Sequence, residues 1–259
     1  MNFDLLFLSL IQGVSEILPV SSSVNLHLFS RLLDIGSFSF SMKVALHAGS
    51  LLTFILYFRR EIADVFLGLI RRKRLSDTYF FALLFGTLPV VIFGYLARDF
   101  VKEFEAPKIM GISCILFGIL LALFDKISAS MTKNDRAPVS VMKSLIIGCF
   151  QAIAIFPGVS RLGICLTASR MLGLNRRKAI GFSMMLAIPS ICGSLVLEFV
   201  DCYKRHNLDV FSQNSLIAIG ATFVIGLIAI IPCVRFMEKH GFFALALYRV
   251  AIGCALCFL

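Results

Sequence analysis

Residues 12–25, QGVSEILPVSSSVN, set a carboxamide, a carboxylate and three consecutive hydroxyls inside otherwise lipid-soluble sequence. Gln12 and Glu16 are four apart, so a helix puts both side chains on one face. Pro19 stops that helix, and Ser21, Ser22 and Ser23 follow at once. A carboxylate beside broken backbone at membrane depth is costly unless it lines a cavity or is buried against protein. The chemistry open to this set is oxygen chemistry. Glu16 can hold a hard cation, Gln12 can offer a neutral oxygen, and Ser22 can attack or orient a water, while Ser21 and Ser23 suit helix capping. A second stretch, QAIAIFPGVSRLG at 151–163, repeats the pattern with a guanidinium. Arg161 at a broken turn calls for an anion, and its paired donors match phosphate. Gly158 and Gly163 permit close backbone approach, and amides at the start of the following helix, from Ser160 onward, add to an anion cradle. The structural alternative, Arg161 and Glu16 as a buried ion pair joining two turns, is a costly way to hold them.

The elements that carry these residues follow from composition. The hydrophobic fraction is 59% and the mean hydropathy +0.92, against roughly 45–50% apolar residues in soluble domains. The fold class is therefore an all-α integral membrane protein, and a soluble core is excluded. The net charge of +10 comes from 25 Lys and Arg against 15 Asp and Glu. Basic residues flanking apolar spans set orientation and meet lipid headgroups, so nucleic acid is not implied. The N-terminal MNFDLLFLSL has no basic leader and reads as part of the fold. The eight cysteines lie mostly in apolar runs and read as small buried hydrophobes. Cys254 and Cys257 form a C-x-x-C with no second pair and no nearby histidine. The 26 phenylalanines suit lipid contact and core packing.

Hydropathy predicts six transmembrane helices, near 38–58, 77–97, 108–125, 178–199, 215–235 and 241–259. Regions 3–33 and 141–174 are each split by proline, serine and glycine, leaving halves too short to span, which predicts two re-entrant helix-loop-helix hairpins. Both breaks read Pro-x-x-Ser, at Pro19 and Pro157, and each hairpin precedes three spans. Residues 1–259 are thus expected to form a single polytopic membrane domain. Its halves, approximately 1–130 and 138–259, would be an inverted-topology repeat whose hairpins enter from opposite faces. The basic clusters Arg59, Arg60, Arg71, Arg72, Lys73, Arg74 and Lys126, Lys133, Arg136 are predicted cytoplasmic. The mixed loops around Arg98, Asp99, Lys102, Glu103 and Glu105 and around Asp201, Lys204, Arg205 and Asp209 are predicted outside, as are both termini. Residues 61–74 suit either an interfacial helix or a plain basic loop. His206 and His240 fall in expected loops and read as solvated.

Together these motifs resemble those of the BacA-type undecaprenyl-diphosphate phosphatases: a Q/E-x-x-x-E helix entering L-P-V-S-S-S, and P-G-x-S-R before glycine. Further matches are H-x-G-S-L-L at His47, Y-F-R-R at Tyr57 and F-S-x-x-L-A-I-P at 182–189, so the resemblance covers nearly the whole chain. It implies hydrolysis of undecaprenyl diphosphate to the monophosphate and inorganic phosphate, in a bacterial inner membrane, with the site facing outward. It also implies a divalent cation, for which Mg2+ or Ca2+ suits the oxygen ligands; Glu16 matches the family's second acid, Gln12 its first place, where the family accepts Glu or Gln, and Ser22 and Arg161 match diphosphate handling. By their place in the two turns, Ser21, Ser23, Asn25, Gly158, Ser160 and Gly163 complete the expected substrate contacts. The partners are then a polyprenyl-diphosphate lipid and the bilayer; homo-oligomerisation is an option that no motif demands. Two positions depart from the family pattern. Val24 and Asn25 stand where it has Gly-His, and Gly181 stands where a glutamate commonly precedes F-S. His27 and His47 are the nearest imidazoles to position 25. Inverted repeats around an anion site are also the plan of a carrier, so a polyprenyl-phosphate transporter or flippase is the alternative.

Overall fold

The computed structural model describes residues 3–35, 39–70, 74–131, 139–204 and 212–258; for residues 74–78, 98, 99, 102 and 129–131 only the backbone is described. Arg71, Arg72, Lys73, Lys133, Arg136, Arg205, His206 and Asp209, used above for orientation and loops, lie outside the described residues. Every regular element within them is helical: α1 (Phe3–Ser15), α2 (Ser22–Leu32), α3 (Phe40–Tyr57), α4 (Arg59–Ile70), α5 (Arg74–Leu96), α6 (Arg98–Val101), α7 (Pro107–Met131), α8 (Val141–Ala152), α9 (Arg161–Met171), α10 (Arg176–Lys204), α11 (Gln213–His240) and α12 (Phe243–Phe258). Helices α3, α5, α7, α10 and α11 are long and apolar enough to cross a membrane. The sixth expected span is helical as α12, but its 16 residues rise about 24 Å at 1.5 Å each, short of a roughly 30 Å hydrocarbon layer. Residues 59–70, where helix and loop both suited the sequence, form α4.

Two helix-turn-helix units stand apart from the spans. Helices α1 and α2 have 13 and 11 residues, and α8 and α9 have 12 and 11, so none of the four can span. Serines are tolerated on apolar α1 because their hydroxyls fold back onto the helix: Ser9 Oγ donates to the Leu5 carbonyl at 2.8 Å. Ser140 starts α8 by accepting from the Lys143 amide at 3.3 Å.

Close approach of backbones holds these units against the spans. In membranes this is the main way helices gain packing energy, because lipid is as apolar as leucine. Helix α8 lies parallel to α5, with the Ser144 hydroxyl donating to the Ala82 carbonyl, and a methyl group on Gly148 would fall on the Gly86 carbonyl. Helix α1 packs on α11 and α3. Helices α7 and α12 run antiparallel: Gly111 faces Gly253, Gly118 faces Ala246 and Arg249, and Asp125 reaches the start of α12. An added Cβ on Gly111 would sit 2.6 Å from the Gly253 oxygen. The outward faces are apolar, with Ile228 73% and Val196 62% exposed, as contact with lipid requires.

At the far end of α7 a carboxylate gathers four elements. Asp125 accepts from Arg170 Nε at 2.9 Å and Arg176 Nε at 3.0 Å through Oδ1. Its Oδ2 accepts from Arg176 Nη2 at 2.8 Å and from the Phe242 amide at 3.4 Å. Both arginines and the carboxylate are multiply bonded, the condition under which buried charge is tolerated.

Candidate active site

The first turn is built so that Glu16 meets Ser22. The Glu16 amide still donates to the Gln12 carbonyl at 3.0 Å, which extends the bonding of α1 by one residue. Pro19 ends the helix, the Val20 amide turns back to the Leu18 carbonyl at 2.8 Å, and Ser21 takes φ 65°. A left-handed serine is strained, and such residues mark sites held by their surroundings. Here the reversal brings Ser22 Oγ to 2.6 Å from Glu16 Oε2. The same oxygen accepts from Gln12 Nε2 at 3.2 Å. Gln12 is fully buried and also donates to Ser50 Oγ of α3 at 3.4 Å. Its Oε1 is buried with no protein partner among the described residues.

The second turn shares the left-handed serine. Gly158 has φ 94°, Ser160 has φ 68°, and Ser160 Oγ accepts from the Gly163 amide at 3.1 Å, capping α9. The equivalence of the turns runs from Ser21 to Ser160, not through the two Pro-x-x-Ser motifs, because Pro19 lies two residues before its left-handed serine and Pro157 three. In that register Ser22 and Arg161 hold one place: each is the first residue of the helix after a left-handed serine. Gln12 then corresponds to Gln151, also fully buried, which accepts from Ser190 Oγ at 3.1 Å. Glu16 corresponds to Ile155, so the carboxylate belongs to the first turn only.

Glu16, Ser21, Ser22, Ser23, Gly158, Ser160 and Arg161 all line one cavity of about 270 Å³. His47 of α3, Glu105, and Ser194 and Glu198 of α10 complete its polar wall. Arg161 Nη2 donates to Ser194 Oγ at 3.4 Å, while its Nη1 and Glu198 Oε2 are buried without protein partners among the described residues. A guanidinium nitrogen with no carboxylate bonded to it is a vacant anion donor. Glu16 shares the cavity with the basic side chains His47 and Arg161. His47 Nδ1 lies 3.0 Å from the Lys43 carbonyl, which fixes the ring on α3. An oxygen donor for a hard cation is present in Glu16, whereas Gln12, bonded to that carboxylate through Nε2, does not itself line the cavity. No group of three or more His, Cys, Asp or Glu side chains gathers around a point among the described residues.

Three sequence-selected residues do not line the cavity. Gln12 stands one layer behind Glu16. Asn25 is buried and holds the first turn, donating to the Val20 carbonyl at 3.1 Å and the Ser21 carbonyl at 2.8 Å and accepting from the Tyr248 hydroxyl. Gly163 clears space: a Cβ there would lie 2.5 Å from Arg249 Nη1. Arg249 itself was missed by sequence reasoning and is fully buried. Its Nη1 donates to the Pro19 carbonyl at 3.2 Å, and Nη2 to the Gly158 and Val159 carbonyls at 3.0 and 2.8 Å. Its Nε donates to the Cys114 carbonyl at 3.2 Å. One arginine on α12 therefore staples both turns to α7. Its signal was an arginine in the apolar run 243–258, the same kind of signal that Arg161 gave. Glu198 had no motif around it, and Gly181 of the same helix lies outside the cavity.

Fold and site define a multi-pass helical membrane protein whose two broken helix pairs close a polar cavity suited to an anion. The chain belongs to the BacA family: the family model described as bacitracin resistance protein BacA matches residues 5–255. It is also similar to an undecaprenyl-diphosphatase of Alcanivorax borkumensis, 33% identical over 264 aligned positions that cover 99% of this chain and 98% of that protein.

Proposed function

We propose that this membrane protein hydrolyses undecaprenyl diphosphate to undecaprenyl phosphate and inorganic phosphate, renewing the lipid carrier of cell-wall synthesis. The observation that carries the reading is the convergence of Glu16, Ser22 and Arg161, from turns far apart in sequence, on one cavity. Arg161 Nη1, unpartnered and buried, binds the terminal phosphate and neutralises charge that develops on it. Ser22 Oγ, already bonded to Glu16 Oε2 at 2.6 Å, attacks the terminal phosphorus while its proton passes to Glu16. The bond from that phosphorus to the bridging oxygen breaks, and undecaprenyl phosphate departs. Water then adds to the phosphorylated serine, Glu16 returns the proton to the leaving Ser22 oxygen, and inorganic phosphate is released. His47 faces the same space and can trade protons with solvent.

Glu16 offers the cavity a carboxylate ligand of the kind that holds Mg2+ or Ca2+ beside substrate phosphates, while Gln12, buried behind it, would orient that carboxylate through its Nε2 bond to Glu16 Oε2. A divalent cation held there would neutralise the diphosphate. Placement in a bacterial inner membrane, with the cavity facing outward, is supported by the cavity lying at the end of α10 that carries Glu198. The basic residues Arg176, Arg177 and Lys178 begin the same helix at its other end. The parallel run of α8 with α5 supports a second hairpin entering from the basic side. The shared left-handed serines support an inverted repeat with halves approximately 1–130 and 138–259. No contact described here favours the carrier alternative.

The test is phosphate release from undecaprenyl diphosphate by purified protein, with and without Mg2+ or Ca2+. The expected result is cation-dependent release that falls about 100-fold or more in Glu16→Ala and Arg161→Ala. Release that is absent in the parent protein, or equal in both variants, overturns the reading.

A further inference from the structure

The polar cavity does not end at Arg161. A second, larger cavity of about 590 Å³ opens beside it and shares Glu105, Ala154, Ile155, Arg161, Ser194 and Glu198 with the first. Beyond those shared residues the lining is mostly apolar, Ser190 and Asp201 being the polar exceptions. Its walls are Val90, Val91 and Tyr95 of α5 and Val196 and Leu197 of α10. Tyr95 and Val196 are 66% and 62% exposed, so the groove opens sideways toward lipid. A third apolar cavity, about 420 Å³ near Phe66 and Met185, shares no residue with the polar site. It offers no path for a molecule whose head is at Arg161.

The glycines in the groove behave unlike those in the helix contacts. A Cβ on Gly148 or Gly111 would strike a neighbouring backbone. By contrast, a Cβ on Gly94 would meet nothing within 4 Å, and one on Gly193 would meet only Val91 Cγ2 at 3.6 Å. Packing of the protein therefore does not use the space above these two glycines. Both glycines line the groove that holds Arg161 at its polar end.

The geometry points to the groove between α5 and α10 as the seat of the first isoprene units of the lipid substrate, entered laterally from the membrane, with Gly94 and Gly193 setting its width. This rests on the proposed reaction for the identity of the head group, but the groove is defined by its own walls. An apolar chain leaving Arg161 finds apolar side chains there, in a volume within the range of roughly 300–1,000 Å³ typical of ligand sites. Side chains placed at 94 and 193 occupy the space that the chain needs.

Gly94→Leu and Gly193→Leu test the assignment. The readout is the ratio of kcat/KM for undecaprenyl diphosphate to that for dimethylallyl diphosphate, whose tail is a single isoprene unit. The ratio is expected to fall at least tenfold, mainly through KM for the long chain. A ratio unchanged from the parent protein, whether both rates fall together or neither does, overturns the groove. A second measurement is independent of turnover. A polyprenyl diphosphate bearing a diazirine near the head group, irradiated with the parent protein in bilayers, should label residues 90–95 and 193–197. Labelling confined to other helices overturns the groove. Labelling of the groove without any phosphate release retains it and overturns the hydrolytic reading instead.

Discussion

Asn25 stands where the family resemblance places a histidine, yet its amide is committed to the backbone of the first turn and to Tyr248. A buried side chain with three partners is replaced at a cost of about 1–3 kcal/mol when partners are left unpaired. Asn25→His is therefore expected to lower thermal stability and to give no gain in phosphate release. A faster enzyme of unchanged stability would show that position 25 reaches the cavity after all. The imidazole that does face the cavity is His47. His47→Ala should reduce turnover by about 100-fold near neutral pH, the low end of the range for a lost proton-transfer group. Retained turnover in that variant would leave proton exchange to water.

At the scale of elements, the interrupted helices were legible in the sequence because length and proline are local signals. Halves of 11 to 13 residues cannot cross a bilayer, whatever they pack against. The partnership of the two turns was legible in Glu16, Ser22 and Arg161, since each is too polar for lipid. Their register was not. Matching prolines measures residue identity, whereas the equivalence rests on left-handed backbone at Ser21 and Ser160. Arg249 escaped because its partners are carbonyls, which no side-chain pattern announces. Its removal takes the donor from three turn carbonyls, those of Pro19, Gly158 and Val159, and unties both turns from α7. Arg249→Met is expected to destabilise the protein by about 3 kcal/mol or more and to abolish phosphate release, whereas Tyr248→Phe, which removes one bond, should be far milder. Equal effects of the two in thermal unfolding would contradict a stapling role.

At the scale of the whole molecule, orientation decides which compartment the cavity serves. Helix α4 follows α3 directly and carries Arg59 and Arg60 at the expected cytoplasmic end. A cysteine replacing Arg60 should react with a membrane-impermeant reagent only from the cytoplasm, and one replacing Ser212 only from outside. The reverse pattern would turn the molecule over and place the site on the cytoplasmic side. The staple of Arg249 bears on movement as well. Its nitrogens grip carbonyls of both turns and of α7 at once, so sliding one turn past the other would break charge-assisted bonds in a dry interior. Relative movement of the two halves of the site would therefore have to break those bonds. The lateral groove proposed for the lipid asks for no such movement, because it brings the substrate to the centre rather than the centre to the substrate.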